Sequence, residues 1–428
     1  MASESAGLTS EPTASPERDW SAVDALVGDA VDRKLLSGAV TMVWQGEAVA
    51  HSSAIGCQDI TVGTPMTEDC IFRLFSMTKP VTAAAMMILW DEGKWSPADP
   101  IAKHLPELSD LKVMALRDSR EVGPLSNPEA PPTIEHLMTH QVGFSYGFTD
   151  EPIDHSYRAA RIPIVPHDIT AEEYLARLAT VPLAFEPGSG WRYSVAMDVQ
   201  GIIIERLSGM PLRDFMKRRI FDPLGMNDTD FLVPDSKRER FATLYTLADD
   251  LLVEMTVQGE LSFDNENTIA PAASELVLPY NEAPLLASGG AGLVSTAADY
   301  LRFGRMLLSR GELEGMRILS DAAVDFMTRS HTPVQLLTGT FGTPPHMLRR
   351  GYEYAYNGVA VTDPAAAGVR LGRGTYLWDG AAGCWFWVDP ANDLVFVCMV
   401  QLLTDADRLS LQFRSRDIVA AILAGRQK

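Results

Sequence analysis

A chain of 428 residues, 46% hydrophobic and 21% charged, is long enough to bury a large core and to hold two or three domains. Its formal net charge of −20 argues against nucleic acid or an anionic membrane surface as a partner, and no apolar run is long enough to span a bilayer. Cys57, Cys70, Cys384 and Cys398 have neither metal-ligand spacing nor disulfide-scaffold density and read as reduced, mostly buried thiols.

Residues 1–18 have no basic start and no apolar block, so they read as a disordered lead and not a signal peptide, which predicts a cytoplasmic protein. WSAVDALVGDAVDRKLL carries helical spacing at Trp20, Val23, Leu26, Val27, Val31 and Leu35. Two strand-like runs follow, AVTMVWQ and AVAHSSAIG, joined as a hairpin by Gly46-Glu47. Next comes Phe75-Ser76-Met77-Thr78-Lys79-Pro80, running into VTAAAMMILWDEG. From Val81 to Trp90 only Thr82 is polar, which predicts a buried helix stopped at Gly93. Pro80 is tolerated only near a helix start, so Ser76 is expected at the N-terminus, with Lys79 one turn on and on the same face.

A serine needs a neighbouring base to become a nucleophile, and a lysine serves only if burial lowers its pKa. The apolar wall after Lys79 suits such desolvation, and the helix N-terminus offers N–H groups to a developing oxyanion. Ser-x-x-Lys alone is common, and its bland reading is an exposed serine and a surface lysine. A lysine at the mouth of an apolar helix is costly unless used or paired.

Downstream, KWSPADPIAKHLPEL is a proline-rich connector, and Thr170 with Glu173 fits a capping box. Arg192-Tyr193-Ser194-Val195 follows a turn and heads a helix ending at Gly209, so Tyr193 is held at a helix start. The bland reading of that tyrosine is packing; near a lysine ammonium a phenol loses its proton more easily and can serve as base or proton shuttle. Residues 235–285 lack periodicity and are expected to be loops. After ASGGAG, Thr296 caps a helix over AADYLRFGRMLLSRG. The aromatic-rich run around Phe341, Tyr352, Tyr354 and Tyr356 reads as a loop lining a cavity. Three strands (GTYLWDGA, CWFWVDP, DLVFVCMVQLL) and a closing helix complete the chain. Trp378-Asp379-Gly380 lies on or beside the first of these, with glycines that let backbone approach a ligand. Strands at both ends with helices between imply an α/β (α+β) fold, a sheet built from the two ends around a helical insertion.

Gly143-Phe144-Ser145-Tyr146-Gly147 matches the Gly-x-Ser-x-Gly nucleophile elbow, which needs a strand before the serine and a helix after it. The preceding TIEHLMTHQ has helical spacing, so the context fails and Ser145 is set aside. His136 and His140 share a helical face without an intervening acid, which argues against a zinc site and for a packing or capping role for His136. No metal and no cofactor is expected.

Together LFSMTK, RYSVAMDV and LWDGAAG, with the weaker HLMTHQVGF, FEPGSGWRYS, DPLGM and GGAGLVST, resemble the serine β-lactamase and penicillin-binding-protein superfamily. Within it the chain is most similar to the family VIII carboxylesterases, from about residue 20 onward. The resemblance implies an antiparallel sheet domain over 19–100 and 286–428 and a mainly helical domain with irregular loops over 101–285. Ser76 would be the nucleophile, Lys79 and Tyr193 the base and proton-relay pair, and the N–H groups of Ser76 and Ala381 the oxyanion hole. Trp378, Asp379, Gly380, Val195, Phe75 and Tyr146 would face the substrate.

Two departures bear on specificity. Trp378 stands where a class C β-lactamase has lysine, and Val195 where it has asparagine. Losing a cation and an amide for greasy surface disfavours anionic lactams and favours neutral small-molecule esters. The alternatives are a β-lactamase, D-amino peptidase or acyltransferase on the same scaffold, or a non-catalytic ligand sensor. The oligomeric state is left open.

Overall fold

The computed structural model describes residues 18–114, 123–249, 251–256, 273–332, 334–337, 350–403 and 410–425. The expected lead therefore lies, but for Arg18, outside the described residues, as does Phe341. An eight-stranded sheet forms the frame. Its strands are β1 (Gly38–Gln45), β2 (Ala48–Asp59), β3 (Thr64–Pro65), β4 (Tyr352–Tyr354), β5 (Val359–Val361), β6 (Tyr376–Asp379), β7 (Trp385–Asp389) and β8 (Leu394–Val400). The spatial order is β4-β5-β6-β7-β8-β1-β2-β3, and every neighbouring pair is antiparallel. Strands from both ends of the chain thus meet at β1 and β8, where Thr41 lies opposite Cys398. The β1–β2 hairpin turns at Gly46, whose φ of 64° suits a two-residue loop.

β7 and β8 are buried along their whole length, so both sheet faces must be covered. Helices α1 (Ser21–Asp32), α2 (Thr78–Asp91), α3 (Ala196–Ser208), α4 (Ala297–Leu308) and α5 (Leu411–Leu423) are the longest elements outside the sheet. Successive residues of a strand point to opposite faces. Trp385 Nε1 donates to Ser415 on α5, whereas the next ring, Phe386, packs edge-on against Tyr300 of α4. The two helices therefore cover opposite faces, and α1 joins α5 on its side. The α2 helix is buried at every residue from Thr78 to Leu89 and packs against α3.

The structure corrects two expectations. Residues 235–285 are not all loop: Tyr245–Ala248 pairs with Leu251–Glu254, and a helical turn covers Ala273–Leu276. Four-residue strands are too short to leave a period. Tyr352, Tyr354 and Tyr356 line no open cavity; all three are fully buried, two of them in β4, where aromatic residues pack well on a pleated surface. Among the described residues no helix is long and apolar enough to cross a membrane.

Candidate active site

Ser76 lies in a single 3₁₀ turn (Phe75–Met77) that runs directly into α2. Pro80 occupies the third position of α2, inside the first turn, as its missing N–H requires. Phe75 has a φ of 45°, a costly left-handed conformation for a residue with a side chain. Neighbours over-determine that turn. Tyr300 Oη donates to the Met77 carbonyl at 2.8 Å, the Leu293 N–H donates to Thr78 Oγ1 at 3.1 Å, and Thr82 Oγ1 donates to the Gly289 carbonyl at 2.7 Å. The segment after β6 presses on the same turn: a Cβ at Gly380 would stand 2.1 Å from the Leu74 carbonyl oxygen, so no other residue fits.

Two side chains meet at Ser76 Oγ. Lys79 Nζ lies 3.1 Å from it and also donates to the Gly290 carbonyl at 2.8 Å; Tyr193 Oη donates to it at 2.7 Å. Lys79 is buried, and burial is the largest influence on it, lowering its pKa to about 7 against the opposing pull of the Asp198 and Asp379 carboxylates. Free amine is then abundant at neutral pH. Tyr193 goes the other way. Burial, with the Asp379 and Asp198 charges adding to it, pushes the phenol well above its ordinary range despite the bond to Ser76. Burial of the phenol, the largest influence on it, thus runs against the sequence expectation that Tyr193 loses its proton more easily. The ring is fixed by His140, Tyr146 and Trp378, with centroids 4.8, 5.4 and 5.9 Å away.

Trp378 and Val195 are only 2% and 1% exposed. Trp378 packs against the Tyr193 ring and Val195 belongs to the buried core, so neither presents greasy surface, contrary to the sequence expectation. Phe75 and Tyr146 are also buried, Asp379 is half-buried and accepts from Gln412 Nε2 at 3.1 Å, and Ala381 is exposed beside the buried Gly380. Phe75 belongs to a satellite apolar cluster with Val165, Leu244, Met255, Leu276 and Ala382, separate from the main core.

Ser145 is 1% exposed and held by charge. It hydrogen-bonds Asp154 and receives Arg192 Nε at 2.8 Å, while Arg192 also reaches Asp154 at 2.9 Å and Glu151 at 2.6 Å. This network anchors the segment carrying Tyr193. His136 caps a helix start, its Nδ1 accepting from the Thr133 N–H at 3.3 Å.

Sequence reasoning missed Asp198 and Gly290. Asp198 is fully buried in the first turn of α3, and Gly290 comes from the Gly-rich boundary. The available signal was an acid inside the otherwise apolar run VAMDVQGIII, which needs a buried partner.

A family profile described as Beta-lactamase matches residues 23–420. The chain belongs to the beta-lactamase family. It is a serine hydrolase of the esterase-like, family VIII branch. It is 38% identical over 388 residues to protein Rv1367c of Mycobacterium tuberculosis, covering 89% of this chain and 90% of that one. It is 32% identical over 406 residues to esterase EstB of Burkholderia gladioli, covering 93% and 94%. The structure of EstCE1, a hydrolase with promiscuous acyltransferase activity, superposes with a TM-score of 0.79 at 26% identity, covering 94% of this chain and 98% of that one. In this family member the resemblance drawn from three short motifs extends to the whole fold.

Proposed function

We propose that this protein is a carboxylesterase that hydrolyses short- to medium-chain esters through an acyl-enzyme on Ser76. The observation that carries the reading is the convergence of Lys79 Nζ and Tyr193 Oη on Ser76 Oγ, at 3.1 and 2.7 Å. The free amine of Lys79 takes the Ser76 proton as Oγ attacks the ester carbonyl. The N–H groups of Ser76 and Ala381 stabilise the oxyanion, a role supported by the press of Gly380 against the nucleophile turn. The tetrahedral intermediate collapses, the C–O bond to the alcohol breaks, and the departing oxygen takes its proton through the neutral Tyr193 phenol. Water then attacks the acyl-enzyme, its proton passing to the Tyr193–Lys79 pair; the acyl C–O bond to Ser76 breaks, the carboxylic acid leaves and Ser76 Oγ takes that proton back.

The substrate lies on the open side of Ser76, by Asp379, Gly380 and Ala381. Phe75 and Ala382 join the site to the satellite cluster, which supports an acyl chain resting against Ile164, Val277 and Leu278. Esterase and hydrolase relatives support the ester assignment. Four free cysteines, three of them buried, support a cytoplasmic setting.

Trp378 offers no cation to a β-lactam carboxylate. A hydrogen bond to a charged group is worth about 1.5–3 kcal/mol, so nitrophenyl esters should exceed a chromogenic cephalosporin in kcat/KM by about 10- to 150-fold. Kinetics on one preparation, over a series of acyl lengths and the cephalosporin, checks this. Equal or better efficiency for the cephalosporin would promote the lactamase reading.

A further inference from the structure

We propose that Asp198 is a positioning residue for Lys79, holding the loop that binds the amine and supplying the counter-charge when the amine becomes an ammonium. This rests on the serine–lysine reading of the site. Asp198 Oδ1 accepts from Ser288 Oγ at 2.6 Å and from the Gly290 N–H at 3.1 Å. The carbonyl of that same Gly290 accepts from Lys79 Nζ at 2.8 Å. One residue therefore couples carboxylate and amine, one through its N–H and one through its carbonyl. Ser288 Oγ also accepts the Ala291 N–H at 3.0 Å, closing the loop around the carboxylate.

The approach depends on glycine. A Cβ at Gly290 would stand 3.0 Å from both Asp198 Oδ2 and Tyr146 Oη. Oδ2 itself has no hydrogen-bond partner among the described residues. A carboxylate so buried is expensive unless a cation answers it, and Lys79 is the cation that acts on it.

The groups around Lys79 are Asp198, Asp379, Tyr146, Tyr193 and His140. Burial keeps both phenols protonated, and burial with the Lys79 charge keeps His140 neutral. Charge at the site is therefore set by Lys79 and two carboxylates. Of these Asp379 is half-buried and Asp198 wholly enclosed, so the field of Asp198 on the amine is the less screened.

A bland role is also available: Asp198 as a cap for the 288–291 loop and nothing more. Asp198→Asn separates the two, because the amide oxygen still accepts from Ser288 and Gly290 while the charge is gone. In the wild type, kcat/KM for a nitrophenyl ester should rise with pH through about 7 as Lys79 loses its proton. The Asp198 charge raises the pKa of the amine, so Asp198→Asn should move that acid limb down by about one pH unit. Its plateau kcat should fall by about tenfold or more, since an amine with lower proton affinity is a weaker base. Asp198→Glu keeps the charge and should keep the limb at its wild-type pH while lowering kcat; Ser288→Ala should also leave the limb in place. The same profiles are read from the rate of Ser76 labelling by a phosphonate, which does not depend on turnover. An Asp198→Asn limb at the wild-type pH would reduce Asp198 to a loop cap; should the Asn variant not fold, a folded Asp198→Glu variant whose limb moves down although the charge is kept would do the same. A wild-type enzyme that neither hydrolyses esters nor labels would remove the hydrolase reading itself, and this inference with it.

Discussion

Ser76→Ala is expected to abolish ester turnover, with a loss in kcat on the order of 10⁴- to 10⁶-fold, as when the nucleophile of a serine hydrolase is removed. Ser145, the serine of the Gly-x-Ser-x-Gly sequence, is enclosed by Arg192 and Asp154. Ser145→Ala should keep kcat within several-fold of wild type. It removes the hydroxyl that accepts from Arg192 Nε and donates to Asp154, so it should cost about 1–3 kcal/mol of stability. Kinetics and thermal unfolding of the two variants form a double dissociation: Ser76→Ala inactive with its Tm kept, Ser145→Ala active with its Tm lowered. An inactive Ser145→Ala that unfolds like the wild type would mean the nucleophile has been misplaced.

Lys79→Arg should be nearly as damaging. A guanidinium stays protonated throughout the working pH range and cannot take the Ser76 proton, so a loss of about 10²- to 10⁴-fold is expected, the usual worth of general base catalysis. Tyr193→Phe removes the donor 2.7 Å from Ser76 Oγ but keeps the ring contacts with His140, Tyr146 and Trp378. It should therefore lower kcat by about 10²-fold or more with little change in Tm. Full turnover in Tyr193→Phe would end the relay role. The acid limb of the pH profile reports Lys79 together with Asp198, so it is a macroscopic value for the two.

The parts of the site legible in the sequence are those set by local order. Pro80 and the apolar run after Lys79 fix the start of α2, and that alone puts Ser76 and Lys79 on one face. The hairpin at Gly46-Glu47 and the N-cap at Thr296 were equally local: Thr296 Oγ1 accepts the Asp299 N–H at 3.2 Å. The Ser145 elbow could be set aside from its flanks without coordinates. What the sequence hid was long-range. Asp198 and Gly290 lie 92 positions apart, and nothing local says that one carboxylate oxygen meets that particular N–H. The direction of the Tyr193 shift was also hidden, since it depends on how many walls enclose the ring. Trp378 and Val195 were read as surface because a substitution reveals a change of chemistry but not which way the new side chain turns. The hairpin of Tyr245–Ala248 with Leu251–Glu254 is too short for its pattern to rise above the loops around it.

In the proposed mechanism Ser76 carries the acyl group. Incubating the intact protein with a fluorophosphonate, digesting it and mapping the adduct by mass spectrometry tests this without reliance on any substrate. A single adduct is expected on the peptide containing Ser76, absent from Ser76→Ala and slowed in Lys79→Arg. An adduct on Ser145, or labelling of Ser76→Ala at the wild-type rate, would contradict it.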